Sequence, residues 1–180
     1  MADDQTKLKE IERKLGLALL DKGIFLLQDS FSGLENAQLT ADMVRGYVLN
    51  LGLNIPINQF DYKYYTTSWQ NWQLLISSVI LDKALYLADK RDCDNYAYLF
   101  ASLSTFLMSL NTCGVAFGEI YDKTFGRFID RHYFNTILTS DGSLYLIDSL
   151  NSYPDYVKIE KDKDIVLGNW KYKLLSITFF

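Results

Sequence analysis

Proline is nearly missing from this chain, with 2 among 180 residues; cysteine is equally sparse, with 2, and histidine occurs once. Cys93 and Cys113 are too few for a disulfide scaffold, so each has to be explained as a thiol. With one imidazole, His132, and two thiols beside it, the chain lacks the ligands of an ordinary structural zinc site, and no metal or other cofactor is expected. Long apolar runs are absent too. A membrane span needs roughly 18 apolar residues, and the longest candidate, Leu74 to Leu81, is interrupted by Ser77 and Ser78 and closed by Asp82. Positive charge is also in short supply. Lys and Arg number 18 against 22 Asp and Glu, for a net charge of −4 and a pI near 5.0, so no net field draws the protein to nucleic acid or anionic lipid. Met1 to Glu10, MADDQTKLKE, is too polar and acidic for a secretory signal, which makes a soluble, cytoplasmic protein the expectation.

What is present is apolar bulk. Hydrophobic residues make up 49% and aromatic ones 15%, enough to bury a sizeable core and unlike a disordered chain. The length suits one ordinary domain with a helical extension.

Leu8, Ile11, Leu15 and Leu19 recur at helical spacing, with charged residues between them, and predict an amphipathic helix over Thr6 to Leu20. Gln28 to Gln38 reads as a loop. Thr40-x-x-Met43 with Asp42 starts a second helix ending near Leu49, and Leu51 to Phe60, with Gly52, Asn54, Pro56 and Asn58, breaks it. The join therefore falls here, with a helical N-terminal extension over 1–55 and the main domain over 56–180. Ser68 caps a long helix to about Lys90, and Asp92 caps another that begins at Cys93. The inward stripe of the second is Tyr96, Leu99, Phe100, Leu103, Leu107 and Leu110. Strands follow, over Val115 to Tyr121, His132 to Thr139, Leu144 to Asp148 and Tyr172 to Phe180, while Lys158 to Asp164 reads as a solvated loop. Helices first and strands second predict an α+β fold, with an antiparallel sheet packed on the Cys93 helix.

Cys93 falls in the first turn of its helix, where free backbone N–H groups and the positive end of the macrodipole favour a thiolate. A structural, buried cysteine is the competing reading. His132 opens a strand, and Asp148 ends the next, where a buried acid needs a hydrogen-bond partner. The turn between these strands decides whether the two can meet. A two-residue Asp141-Gly142 loop pairs Asp148 with Asn135 and turns it away from His132. A three-residue Ser140-Asp141-Gly142 loop, with Gly142 left-handed, pairs Asp148 with Phe134 and puts it on the face of His132. The sequence permits both.

The segments Arg91-Asp92-Cys93-Asp94-Asn95-Tyr96-Ala97, Leu110-Asn111-x-Cys113-Gly114-Val115, His132-Tyr133-Phe134-Asn135 and Leu144-Tyr145-Leu146-Ile147-Asp148 carry a resemblance. Together they resemble a transglutaminase-type core of the papain-like superfamily. More narrowly, they are similar to the cysteine-protease domain at the C-terminus of certain fungal agglutinins and to bacterial and phage proteins sharing it. The resemblance covers roughly Trp69 to Phe180. It implies Cys93 as nucleophile, His132 as general base and later acid, and Asp148 as the group orienting the imidazole. Tyr133 and Ser149 stand where related sequences often have a small residue and a proline. An oxyanion hole would take the Cys93 N–H and a second donor from Trp69, Gln70, Trp72 or Gln73.

The function this implies is a cysteine-dependent acyl-transfer enzyme, whether peptidase, amidase or transglutaminase-like, acting on amide or isopeptide bonds of a protein or peptide substrate. Neither nucleic acid nor a membrane is an expected partner, and the N-terminal helices would serve any self-association. The rival reading is a non-catalytic interaction protein that keeps the papain-like fold.

Overall fold

Apolar and polar residues alternate along most of the chain after Asn111, and a computed structural model turns that alternation into a large sheet. It describes residues 36–78, 93–148 and 155–180, which fall in a compact unit spanning Glu35–Phe180. The predicted helix over Thr6 to Leu20, nearly all of the loop over Gln28 to Gln38 and the capping residue Asp92 lie outside the described residues. In chain order the elements are β1 (Ala37–Thr40), α1 (Ala41–Asn50), β2 (Ile57–Gln59), β3 (Lys63–Thr66), α2 (Trp69–Ser78), α3 (Cys93–Met108), β4 (Cys113–Asp122), β5 (Phe128–Leu138), β6 (Leu144–Asp148), β7 (Asp155–Lys158), β8 (Ile165–Leu167) and β9 (Trp170–Phe179).

Seven strands form one sheet in the order β2-β9-β4-β5-β6-β7, with β8 beside β9, while β1 and β3 pair separately. Most neighbours are antiparallel, but β2 runs parallel to β9. By strand alternation His132, Phe134 and Leu138 share one face of β5, joined by Leu144 and Leu146 of β6 and Ile177 of β9. Val44 and Val48 of α1, Leu39 of β1 and Tyr64 of β3 close the core with them. Asn135 faces the other way and holds α3, its Nδ2 donating to the Ala97 carbonyl at 2.8 Å.

Two helix starts follow the capping logic of the sequence. The Thr40 hydroxyl accepts from the Met43 N–H at 3.3 Å, and the Ser68 hydroxyl accepts from the Asn71 N–H at the same distance. The inward stripe of α3 differs from the predicted one. Leu99 is 46% exposed, and Ala97, Ala101, Ser104 and Met108 are buried instead, so small side chains bring the helix close to the sheet.

The α+β, papain-like fold with a purely helical N-terminal extension is corrected by this architecture. Among the described residues strands outnumber helices, nine to three, and the segment ahead of residue 55 supplies β1 as well as a helix. β1 is tied to β3 from Ala37↔Thr66 to Thr40↔Lys63. The missed strands β1, β2, β3, β7 and β8 have three or four residues each, too short for a period of two to declare itself.

Candidate functional site

The turn between β5 and β6 brings the site together. Asn135 pairs with Ile147 and Leu138 with Leu144, so the register carries Asp148 opposite Phe134 and onto the face of His132. Ser140, Asp141 and Gly142 make a three-residue loop, closed by Thr139 N–H to Ser143 C=O at 2.9 Å and Gly142 N–H to Thr139 C=O at 2.9 Å. Gly142 has φ +79°, the left-handed value such a loop needs from a glycine. Of the two turns the sequence permits, the chain takes the one that lets acid and imidazole meet.

His132 Nε2 lies 3.1 Å from Asp148 Oδ1, and both residues are buried. Asp148 Oδ2 accepts a second hydrogen bond, from the Tyr172 hydroxyl at 2.8 Å. Cys93, half-buried on α3, lies near enough to act on the same ring. With Nε2 turned to Asp148, Nδ1 is the ring nitrogen left for the thiol. Burial works against a charged imidazole here, but the hydrogen bond to Asp148, its charge and the nearby Cys93 outweigh it and push the His132 pKa up to about 9. At neutral pH the ring then carries both protons, and Nε2 donates to Asp148.

The structure thus joins His132, Asp148 and Tyr172 by hydrogen bonds and brings Cys93 near the imidazole. Tyr172 is a member that sequence reasoning missed. Its only signal is a tyrosine on the inward side of an apolar strand, where a phenylalanine would pack as well. The four oxyanion candidates diverge. Trp72 is fully buried with its indole N–H 3.4 Å from the Thr66 hydroxyl, and Gln73 Nε2 donates to the Tyr156 hydroxyl at 2.6 Å. Trp69 stacks on Tyr145 at 3.7 Å between ring centroids, and Gln70 is exposed. Cys113 is buried beside Ser104 and Asn135, and burial raises its thiol pKa far above the ordinary range. Tyr133 does not stand alone over the site: it packs against Phe117, with ring centroids 4.9 Å apart, and against Tyr98, at 6.4 Å. Among the described residues, no three His, Cys, Asp or Glu side chains converge as a metal-binding group.

No protein-family model matches the chain, and no curated protein does. Solved structures do. One is described as the PSL1a–E64 complex, with a TM-score of 0.53, 18% identity and coverage of 79% of this chain and 51% of that one. Another is Polyporus squamosus lectin bound to a human-type influenza-binding glycan epitope, with a TM-score of 0.54, 15% identity and coverage of 79% and 49%. The chain therefore spans about half the length of each, and at this identity the likeness shows a shared fold. It corrects the assignment to the papain-like, transglutaminase-like cysteine proteases, together with the acyl-transfer function and the hydrolase character drawn from it. One of these structures is that of a lectin. Short motifs around Cys93 and His132 report local geometry, a thiol at a helix start and an imidazole on a strand, and local geometry does not define a family or a reaction. Among the described residues no helix is long and apolar enough to cross a membrane.

Proposed function

We propose that the chain is a ligand-binding protein of this lectin-like fold, in which Cys93, His132 and Asp148 form a reactive-thiol centre that captures an electrophilic carbon. The observation that carries the reading is the buried contact of His132 Nε2 with Asp148 Oδ1 at 3.1 Å, with the Cys93 thiol on the same ring. Cys93 is the nucleophile. His132 holds the thiol proton, and Asp148 keeps the ring oriented and its charge balanced. When sulfur attacks an epoxide carbon, a C–S bond forms, the C–O bond breaks, and the alkoxide takes the proton from His132. Each atom is then accounted for, and the product is a stable thioether. The proposal is of capture alone; turnover of amides forms no part of it. That a protein sharing this fold is described in complex with E64 supports the choice of E64 as a probe.

Mass mapping of the chain after exposure to E64 or iodoacetamide tests this. Cys93 should be modified quickly at neutral pH. His132→Ala should abolish that reactivity, while buried Cys113 stays unmodified in both proteins. Slow labelling at Cys93 that ignores His132 would sink the proposal.

A second reading has its own observation. Trp69, Tyr145 and Tyr156 form a half-exposed aromatic group, with Trp69 stacked on Tyr145 and edge-on to Tyr156 at 4.7 Å. Aromatic faces of this kind suit the apolar side of a sugar ring, with the phenolic and indole polar atoms serving its hydroxyls. The glycan named for the lectin that shares this fold supports it. Titration with that glycan should change tryptophan fluorescence in the wild type and fail to do so in Trp69→Ala; no change in either protein would eliminate it.

A further inference from the structure

We infer that Tyr172 is a positioning residue for the thiol centre: its hydroxyl holds one oxygen of Asp148 so that the other stays on His132. The inference rests on the proposed reactive-thiol reading for its purpose, but its geometry stands by itself. The two oxygens of Asp148 have different partners, Oδ2 with the Tyr172 hydroxyl at 2.8 Å and Oδ1 with His132 Nε2 at 3.1 Å. A carboxylate held at both oxygens cannot turn about its last bond without breaking one of them. Tyr172 is itself immobilised. It is 2% exposed, and its ring meets Phe134 edge to face, with centroids 5.4 Å apart and planes at 83°.

The backbone explains how β9 reaches an acid on β6 across two intervening strands. The register of β4 against β9 shifts between Phe117 and Gly118, so Leu174 pairs with Gly118 and Tyr172 with Ile120. Gly118 in turn lies opposite His132 on β5. A Cβ at Gly118 would come within 3.0 Å of the Phe134 ring and 2.5 Å of the Lys173 carbonyl oxygen. The missing side chain therefore leaves the space in which the Phe134 ring lies, and that ring is the wall against which Tyr172 stands. A buried hydroxyl on this apolar face would cost free energy without a partner. Asp148 is the partner, which gives the oxygen a reason to be there.

The chain has one histidine, so its imidazole signals in NMR need no assignment by mutation. The test is the titration of His132 in the wild type and in Tyr172→Phe, alongside the alkylation rate of Cys93 across pH. The substitution removes one oxygen and keeps the ring. Without the Tyr172 bond, Asp148 should hold the imidazole less firmly. The His132 midpoint should then fall by about one unit or more, and Cys93 labelling near pH 7 should slow by roughly tenfold, the equivalent of about one hydrogen bond. A midpoint that stays put or rises would overturn the inference. A midpoint that falls in a protein whose wild-type Cys93 is sluggish would uphold Tyr172 and refute the reactive-thiol reading, so the two failures are distinct. Should Tyr172→Phe not fold, the wild type gives a second readout. The Tyr172 hydroxyl proton should exchange slowly and shift as His132 titrates; a freely exchanging proton, or one blind to that titration, would equally overturn the inference.

Discussion

Asn135, three residues beyond His132 on β5, donates from Nδ2 to the carbonyl of Ala97, four residues beyond Cys93 on α3. One buried amide thereby links the strand that carries the imidazole to the helix that carries the thiol. Its second bond, to the Gly114 carbonyl at 3.3 Å, extends the link to β4. Asn135→Ala should lower stability by about 1–3 kcal/mol, the cost of removing a buried hydrogen-bonding group, and should slow Cys93 labelling. Urea unfolding and alkylation rates check the two effects. An unchanged midpoint would mean that the packing of α3 alone holds the pair in place.

Gly142 tests the turn. Its φ is +79°, and an added Cβ would meet Tyr47 Cε1 at 2.4 Å. Gly142→Ala should destabilise by about 1–3 kcal/mol through strain and clash together. Adding Tyr47→Ala should recover only the clash, since the left-handed backbone remains. Full recovery in the double variant would show that the loop does not depend on that backbone state.

Deleting Gly142 asks more of the same turn. If the turn then keeps three loop residues, β6 slips by one and Asp148 falls opposite Asn135, facing away from His132. The His132 midpoint should drop from about 9 towards the ordinary value of 6.5. NMR titration reads this directly, and a midpoint still near 9 would mean that β6 had kept its pairing on a two-residue loop.

Stability should depend on pH through His132. Its pKa is raised on folding, so the native state holds the proton more tightly than the unfolded chain does. The contribution is full below about 6.5 and is lost as pH climbs through about 9. Thermal melts of wild type and His132→Gln should accordingly differ most near pH 6 and converge above about pH 9. A gap that widens over that range would reverse the assigned charge state.

Gly118→Ala should be among the costlier single changes, roughly 2–4 kcal/mol, because the Lys173 carbonyl it would strike is backbone and cannot swing aside. Denaturant midpoints would show it. A loss below about 0.5 kcal/mol, the range of an ordinary surface change, would mean that β4 and β9 separate more readily than their pairing suggests.

Much of the site can be read in the sequence. The cysteine on a helix and the acid closing the strand after the histidine are where residue pattern places them, because alternation and a Gly-containing turn are local signals, whereas His132, expected to open its strand, is the fifth residue of β5. The choice between the two turns is not local. It depends on Gly142 taking a positive φ beside Tyr47, a contact with α1 some 95 residues earlier in the chain (142 − 47). Tyr172 was invisible for a similar reason: a hydroxyl that finds its acid across two intervening strands leaves no mark in the spacing of β9. The fold was less legible than the site. Leu99 fits the helical stripe yet faces solvent, and Ala97 and Ser104 are buried, since what decides burial there is how closely α3 approaches the sheet. Short strands such as β2 and β8 exist only because β9 offers them an edge.

That edge sets the order in which the protein can be made. β9 lies between β2 and β4, and its pairing of Ile57 with Ile177 spans 120 residues. On a ribosome the hairpin of β4 and β5 can form while β2 still waits for a neighbour not yet synthesised. Contacts so distant in sequence close slowly, and a nascent chain paused before residue 170 would present the open side of β4 to any passing strand. Tyr172 arrives on that same strand, so the hydrogen bond that steadies Asp148 cannot form before β9 has been made.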